Sequence, residues 1–167
     1  MDREQQLRRR IRVWLGVFIV GLIVSGLTAF PLLTELEYIA RSLGLSVTDA
    51  PENYTGLRYW ILTVPEVLRE TYAKYPFMAY GTDWLAFAHI VIAIFFIGPL
   101  VRPESNRWVI ASGMIACGLV VVLALICGPI RGIPLFWRLI DCSFGIFGFI
   151  PLWFAWRDTA ELATMCD

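Results

Sequence analysis

Long runs without any charged residue constrain this chain more than any other feature. Four such runs cover residues 13–34, 84–101, 108–130 and 142–156. A helix needs about 20 apolar residues to cross the hydrocarbon core of a bilayer. Hydrophobic residues make up 58% of the 167 residues and charged residues 17%, which is too apolar for a water-soluble domain of this size. The pattern predicts an all-α membrane protein, a bundle of four transmembrane helices.

The last run is short for a membrane span. Its 15 residues, 142–156, would cover about 22 Å of helix, whereas the hydrocarbon core is about 30 Å thick. The span must therefore begin near Phe136, which places Asp141 below the membrane surface and Arg138 at its boundary. Because these two residues are three positions apart on a helix, they can form an ion pair. The predicted spans are 13–34, 83–101, 108–130 and 136–156, within a single domain of residues 1–167.

Basic residues at the N terminus predict the orientation of the chain. Five arginines lie in the first twelve residues, at Arg3, Arg8, Arg9, Arg10 and Arg12. Basic segments are retained on the cytoplasmic side of a membrane, and four spans return the C terminus to the same side. We therefore expect a plasma (inner) membrane protein with both termini in the cytoplasm. The formal net charge of zero gives no support to nucleic-acid binding.

The predicted extracytoplasmic loop, residues 35–82, is too long to be a simple connection. Two pairs in or beside it have the spacing of a capping box: Thr34 with Glu37, and Thr63 with Glu66. They predict two short helices, the first ending at Gly44 and the second near Tyr75, before Pro76. We expect short interfacial helices here, although the second helix, with its tyrosines and balanced charge, also fits a solvated helix that packs on the bundle.

Polar residues near the predicted outer ends of the spans form the candidate site. An ionisable residue inside a membrane costs about 2.5–3.5 kcal/mol and is a functional-site hypothesis by default. The ionisable candidates are Glu35, Asp83, His89, Arg131, Arg138 and Asp141, with Tyr80, Trp84 and Trp137 as an aromatic rim. One interpretation is a ligand-binding pocket open toward the outer leaflet. The other is an ionic lock in which the two arginines neutralise Asp83 and Asp141.

Asp83, His89 and Asp141 are the candidates for acid–base chemistry. His89 is the only histidine, and Asp83 is rotated from it by about 120° on a helix. We therefore predict no metal site in this span, and we favour a histidine that donates a hydrogen bond to a neighbouring helix over one that carries a proton. No cofactor is indicated, and no catalytic motif decides whether the protein is an enzyme.

Two functions fit these residues. The first is binding of an amphipathic small molecule, such as a lipid, isoprenoid or quinone, whose head group contacts Arg131 and Arg138, with or without acid–base chemistry. The alternative is a non-catalytic accessory or assembly subunit that binds a larger membrane protein or a second copy of itself. An ion or proton pathway is disfavoured because the inner halves of the predicted spans contain no charged relay.

Overall fold

A computed structural model describes residues 3–46 and 48–165, and it is all-helical over those residues. Its α-helices are α1 (Arg3–Ala29), α2 (Leu32–Ser42), α3 (Gly56–Lys74), α4 (Ala79–Phe95), α5 (Ile97–Val101), α6 (Arg107–Ile130) and α7 (Leu135–Thr164). Within the described residues, four segments are long and apolar enough to cross a membrane: Arg3–Ala29, Pro76–Val101, Glu104–Ile130 and Leu135–Thr164. The prediction of an all-α chain with four such segments is confirmed. The side on which each terminus lies stays a prediction.

The chain divides into two compact units, which we describe separately. The first unit comprises Met1–Leu22 and Val91–Asp167, and the second comprises Ile23–Ile90. The single domain of residues 1–167 therefore stays a prediction.

The core of the first unit lies between α1, α6 and α7. Leu7, Ile11 and Leu15 recur every four residues along α1 and are fully buried, because residues at this spacing share one helix face. Trp14 stacks on Phe154 of α7 with ring centroids 4.8 Å apart. Farther along α1, Phe18 lies against Gly148 of α7. Increasing residue numbers in α1 thus meet decreasing numbers in α7, so the two helices are antiparallel.

Glycines allow α6 and α7 to approach closely. A Cβ atom added at Gly145 would lie 2.5 Å from the carbonyl oxygen of Cys117, which is closer than real Cβ atoms come to a backbone oxygen. At Gly113, an added Cβ would lie 2.9 Å from a methyl carbon of Leu152. These contacts run in opposite directions along the two helices and define an antiparallel hairpin with backbone packed against backbone.

The second predicted span, 83–101, is interrupted rather than continuous. Helix α4 ends at Phe95 and α5 begins at Ile97. Pro99 lies inside α5, and it has no N–H to donate to the carbonyl of Phe95, four residues earlier. The helix therefore breaks at Phe96, whose buried ring packs on Phe18 with centroids 4.6 Å apart.

Helices α2 and α3 pack together in the second unit. Their buried apolar residues are Leu36 and Ala40 of α2 and Ile61, Leu62 and Pro65 of α3. Beside this contact, the guanidinium of Arg69 donates a 2.6 Å hydrogen bond to Glu37. Arg41 also lies 3.8 Å from the Glu37 carboxylate. The segment predicted to be a loop therefore contains two helices that are held together by a small apolar core and an ion pair.

The predicted starts of these two helices are wrong, whereas their ends are close. Helix α2 begins at Leu32, after Pro31, so Thr34 lies within its first turn and makes no cap. Helix α3 begins at Gly56, and the hydroxyl of Thr63 donates to the carbonyl of Tyr59 inside the helix. The ends follow the sequence signals: α2 stops at Ser42 before Gly44, whose φ is +73°, and α3 stops at Lys74 before Pro76.

The C-terminal limits of the first and last predicted spans also differ from those of the helices. Helix α1 ends at Ala29, five residues before the predicted limit of 34, because Pro31 follows. Helix α7 continues to Thr164, eight residues beyond the predicted limit of 156. The additional two turns of α7 carry the charged residues Arg157, Asp158 and Glu161, which lie beyond the last predicted span.

Candidate functional site

The predicted site residues are divided between the two units. Glu35, Tyr80, Asp83, Trp84 and His89 belong to the second unit, and Arg131, Trp137, Arg138 and Asp141 belong to the first. Each group is described within its own unit. The pocket formed by all nine residues stays a prediction.

Helix α4 carries an exposed aromatic row in the second unit. The rings of Tyr80 and Trp84 meet edge to face with centroids 5.9 Å apart, and Trp84 meets Phe87 in the same way at 5.9 Å. Asp83 lies between Tyr80 and Trp84 in sequence and is half-buried, as is Glu35 at the start of α2. Aromatic rings of this type are enriched at the boundary between lipid and water.

His89 donates its hydrogen bond within its own helix. Its Nδ1 lies 2.7 Å from the carbonyl oxygen of Leu85, and because a carbonyl can only accept, Nδ1 carries the proton. The expectation of a bond to a neighbouring helix is therefore wrong. A neighbouring helix does come close, since a Cβ added at Gly26 of α1 would lie 2.8 Å from the Ala86 carbonyl and 3.1 Å from the Cβ of His89. Gly26 thus packs against the backbone beside His89, and in the neutral ring Nε2 is left as the basic nitrogen.

Arg131, Trp137, Arg138 and Asp141 flank the turn that joins α6 to α7. Arg131 caps the end of α6, and its backbone N–H donates to the Cys127 carbonyl at 3.0 Å. The aliphatic stem of Arg138 lies on Gly128, where an added Cβ would be 2.7 Å from the Arg138 Cγ. Gly128 is buried by this contact. The missing side chain at position 128 therefore provides the space in which the Arg138 stem lies.

The predicted ion pair between Arg138 and Asp141 is wrong. Among the described residues, no ion pair includes Arg131, Arg138 or Asp141. The physical reason is the position of the Arg138 stem, which packs across the helix contact on Gly128 instead of following its own helix toward Asp141. In these described residues the buried Nε of Arg138 also has no hydrogen-bond acceptor.

Sequence analysis missed Asp158 of α7, which is the most deeply buried acidic residue among those that the structure describes. Its side chain is 1% exposed, and Oδ2 lies 3.1 Å from Nε of Arg10 on α1. Arg157 contributes a second guanidinium at 3.5 Å from Oδ1. The adjacent Thr159 is fully buried and donates its hydroxyl to the Ala155 carbonyl at 2.7 Å. A carboxylate buried to this extent needs paired cations, and both helices supply one.

Other ion pairs surround Asp158 at this end of the first unit. Arg3 donates to Glu161 of α7 at 3.0 Å. Arg8 pairs with Glu4, one turn earlier, at 2.9 Å, and also with Glu104 in the connection before α6. Helix α1 is thereby joined to α7 and to the α5–α6 connection. The helical spacing of Ala155, Asp158 and Leu162, continued beyond the apolar run, is the signal that predicts this face.

These residues show no preformed metal centre. In the part of the chain that the structure describes, no group of three or more histidine, cysteine, aspartate or glutamate side chains is placed to hold a metal ion. The fold and the site define an all-helical chain with four segments able to cross a membrane. The chain matches no protein-family model, no curated protein and no solved structure.

Proposed function

We propose that this chain is an integral membrane protein that binds an amphipathic small molecule through Arg131 and Arg138. The molecule is a lipid, an isoprenoid or a quinone-like compound with an anionic or carbonyl head group. The protein lies in the plasma (inner) membrane with both termini in the cytoplasm, and the head group binds on the outer side. Asp141, which lies in the same unit as the two arginines, contributes acid–base chemistry if the bound molecule is also converted.

The observation that carries this proposal is the environment of the Arg138 side chain. Its stem is fixed on Gly128, and among the described residues no acidic side chain neutralises its guanidinium. A guanidinium presents several donors in a rigid plane that matches phosphate, carboxylate or carbonyl oxygens. Arg131, which is exposed, adds a second cation on the other side of the same turn. Exposed apolar residues beside them, such as Leu135 and Leu139, are suited to contact the tail.

The test compares two double variants that lose the same charge. The Arg131→Gln/Arg138→Gln variant removes the proposed head-group contacts, and Arg58→Gln/Arg102→Gln removes two other exposed arginines. Each protein is purified in mild detergent, and co-purified lipids, isoprenoids and quinones are quantified by mass spectrometry. We expect the amount of one class of co-purified molecule to fall about ten-fold or more in the Arg131→Gln/Arg138→Gln variant only. This loss corresponds to about 1 kcal/mol per arginine. Equal amounts of every class in all three proteins would contradict the proposal.

The alternative is a non-catalytic accessory subunit, and one observation favours it. Helix α3 exposes the large apolar residues Leu57, Tyr59 and Val67, which a membrane-protein partner or a second copy of the chain can cover. Purification in mild detergent distinguishes the two proposals. A stoichiometric partner that is lost on Tyr59→Ser/Val67→Ser substitution supports the accessory role, whereas an isolated monomer that retains a small molecule supports the first.

A further inference from the structure

The arginine cluster at the start of α1 divides into two groups. Arg3, Arg8 and Arg10 each form an ion pair with an acidic side chain of the first unit. In the described residues, Arg9 and Arg12 form no ion pair. Basic charge near the end of a helix is enough to orient it in a membrane, whether or not the charge is paired. The ion pairs therefore separate two groups of arginines that the orientation rule treats alike.

The two unpaired arginines lie away from the core of the unit. At about 100° of rotation per residue, the buried Leu7, Ile11 and Leu15 point in one general direction and Arg9 points to the opposite side of α1. Arg9 and Arg12 are both exposed. Their side chains therefore reach the surface that no other helix of the first unit covers.

An apolar strip continues this surface along α1. Val13, Val17 and Val20, which we call the valine strip, are 56%, 55% and 59% exposed. A shallow groove of about 350 Å³ joins the arginines to the strip, and it is lined by Gln5, Arg8, Arg9, Arg12 and Val13. From Arg12 to Val20 the helix rises about 12 Å, which is enough to accompany the upper part of an acyl chain.

We propose that Arg9, Arg12 and the valine strip form a binding surface for a phospholipid with an anionic head group. The phosphate accepts hydrogen bonds from the two guanidinium groups, which bind such oxygens in a planar, bidentate manner. One acyl chain of this phospholipid lies along the valine strip and covers it. This surface is separate in sequence from Arg131 and Arg138, and it does not depend on the function proposed above.

Charge and polarity select a phospholipid over other occupants. Two unpaired cations complement a phosphate, and the residues that continue the face are aliphatic, so the occupant must be anionic at one end and apolar beyond it. A second copy packed side by side in the same orientation would bring Arg9 and Arg12 against the same arginines, which is unfavourable. An acidic peptide would leave the valine strip uncovered.

Photo-crosslinking tests the surface in the intact protein. The full chain is placed in phosphatidylcholine vesicles that contain a trace of phosphatidylglycerol with a photoreactive acyl chain, or the equivalent phosphatidylcholine probe. Cross-linked peptides from residues 13–22 are quantified by mass spectrometry. We expect the phosphatidylglycerol probe to label this segment more strongly than the phosphatidylcholine probe. In Arg9→Gln/Arg12→Gln this preference should fall about ten- to thirty-fold, as two arginines at a membrane surface contribute.

The Arg58→Gln/Arg102→Gln variant is the matched control, because it loses the same charge elsewhere and should keep the preference. Equal labelling of residues 13–22 by the two probes in the unsubstituted protein would overturn the proposal. An equal loss in the control variant would overturn it as well, since the effect would then belong to net charge. Cross-links between two copies of this segment, in place of lipid, would assign the face to self-association.

Discussion

The burial of Asp158 gives the basic start of α1 a structural role. Its carboxylate is almost completely buried, yet it has guanidinium groups from Arg10 and Arg157 within 3.5 Å. Removing one member of such a pair leaves the other without compensation, which costs more than the pair contributes. The basic N terminus is therefore part of the packing of the first unit, in addition to any role in orientation.

Replacement of Asp158 by asparagine tests this interpretation. The substitution keeps the shape of the side chain and removes its charge, so Arg10 loses its partner. We expect the free energy of unfolding to fall by about 1.5–3 kcal/mol, the range for hydrogen bonds that involve a charged group. Unfolding by a denaturing detergent, followed by circular dichroism, measures the change.

Glu161→Gln is the control for Asp158→Asn, because it also breaks a contact between α1 and α7. Both partners of the Arg3–Glu161 pair are exposed by about half, so its loss should cost less than about 1 kcal/mol. Similar losses for the two variants would show that burial of Asp158 does not strengthen its pair.

Single-residue reasoning from the sequence failed at Arg138 and Asp158 for the same reason. Sequence spacing reports which residues share a face of one helix, and it suggested Arg138 with Asp141. The actual neighbours are set by contacts between helices, namely Gly128 for Arg138 and Arg10 for Asp158. Pairs that join distant parts of the chain have no local signal.

At the scale of helices, composition predicted the segments and local signals predicted their ends. Apolar runs located all four candidate spans, and Gly44 and Pro76 marked the ends of α2 and α3 because these residues do not continue a helix. The predicted starts of α2 and α3 were wrong because a threonine can lie inside a helix as well as cap its first turn. The hydroxyl of Thr63 donates a hydrogen bond to the carbonyl four residues earlier. This hydrogen bond is available to any threonine inside a helix.

Gly145→Ala tests the close contact between α6 and α7. A methyl group at this position would lie 2.5 Å from the Cys117 carbonyl oxygen, so the helices must separate. Overpacking of this kind typically costs about 1–3 kcal/mol, and we expect that loss in the free energy of unfolding in detergent micelles.

The matched substitution on the partner helix is Gly118→Ala. Among the described residues no atom would lie within 4 Å of the added methyl group, and alanine favours a helix over glycine by about 1 kcal/mol. This variant should be neutral or slightly more stable. A loss equal to that of Gly145→Ala would contradict the assignment of the contact.

For the whole molecule, the ion pairs of the first unit predict the location of the termini. Arg3 at the start of α1 pairs with Glu161 near the end of α7, so these two helix ends lie together. Reporter fusions measure the side of the membrane on which each terminus lies. One reporter is a protein that fluoresces only after folding in the cytoplasm, and the other is a phosphatase that is active only outside. We expect cytoplasmic signals at both ends, and opposite sides would contradict either the four spans or the pairing.

The contact between Arg10 and Asp158 also has a consequence for biogenesis. Asp158 follows Arg10 by 148 residues, so their bond can form only after the ribosome has translated most of α7. Until then the guanidinium of Arg10 remains hydrated or bound to other anions. A nascent chain that has not reached α7 lacks this contact, so the packing of α1 in the first unit closes only when α7 joins it.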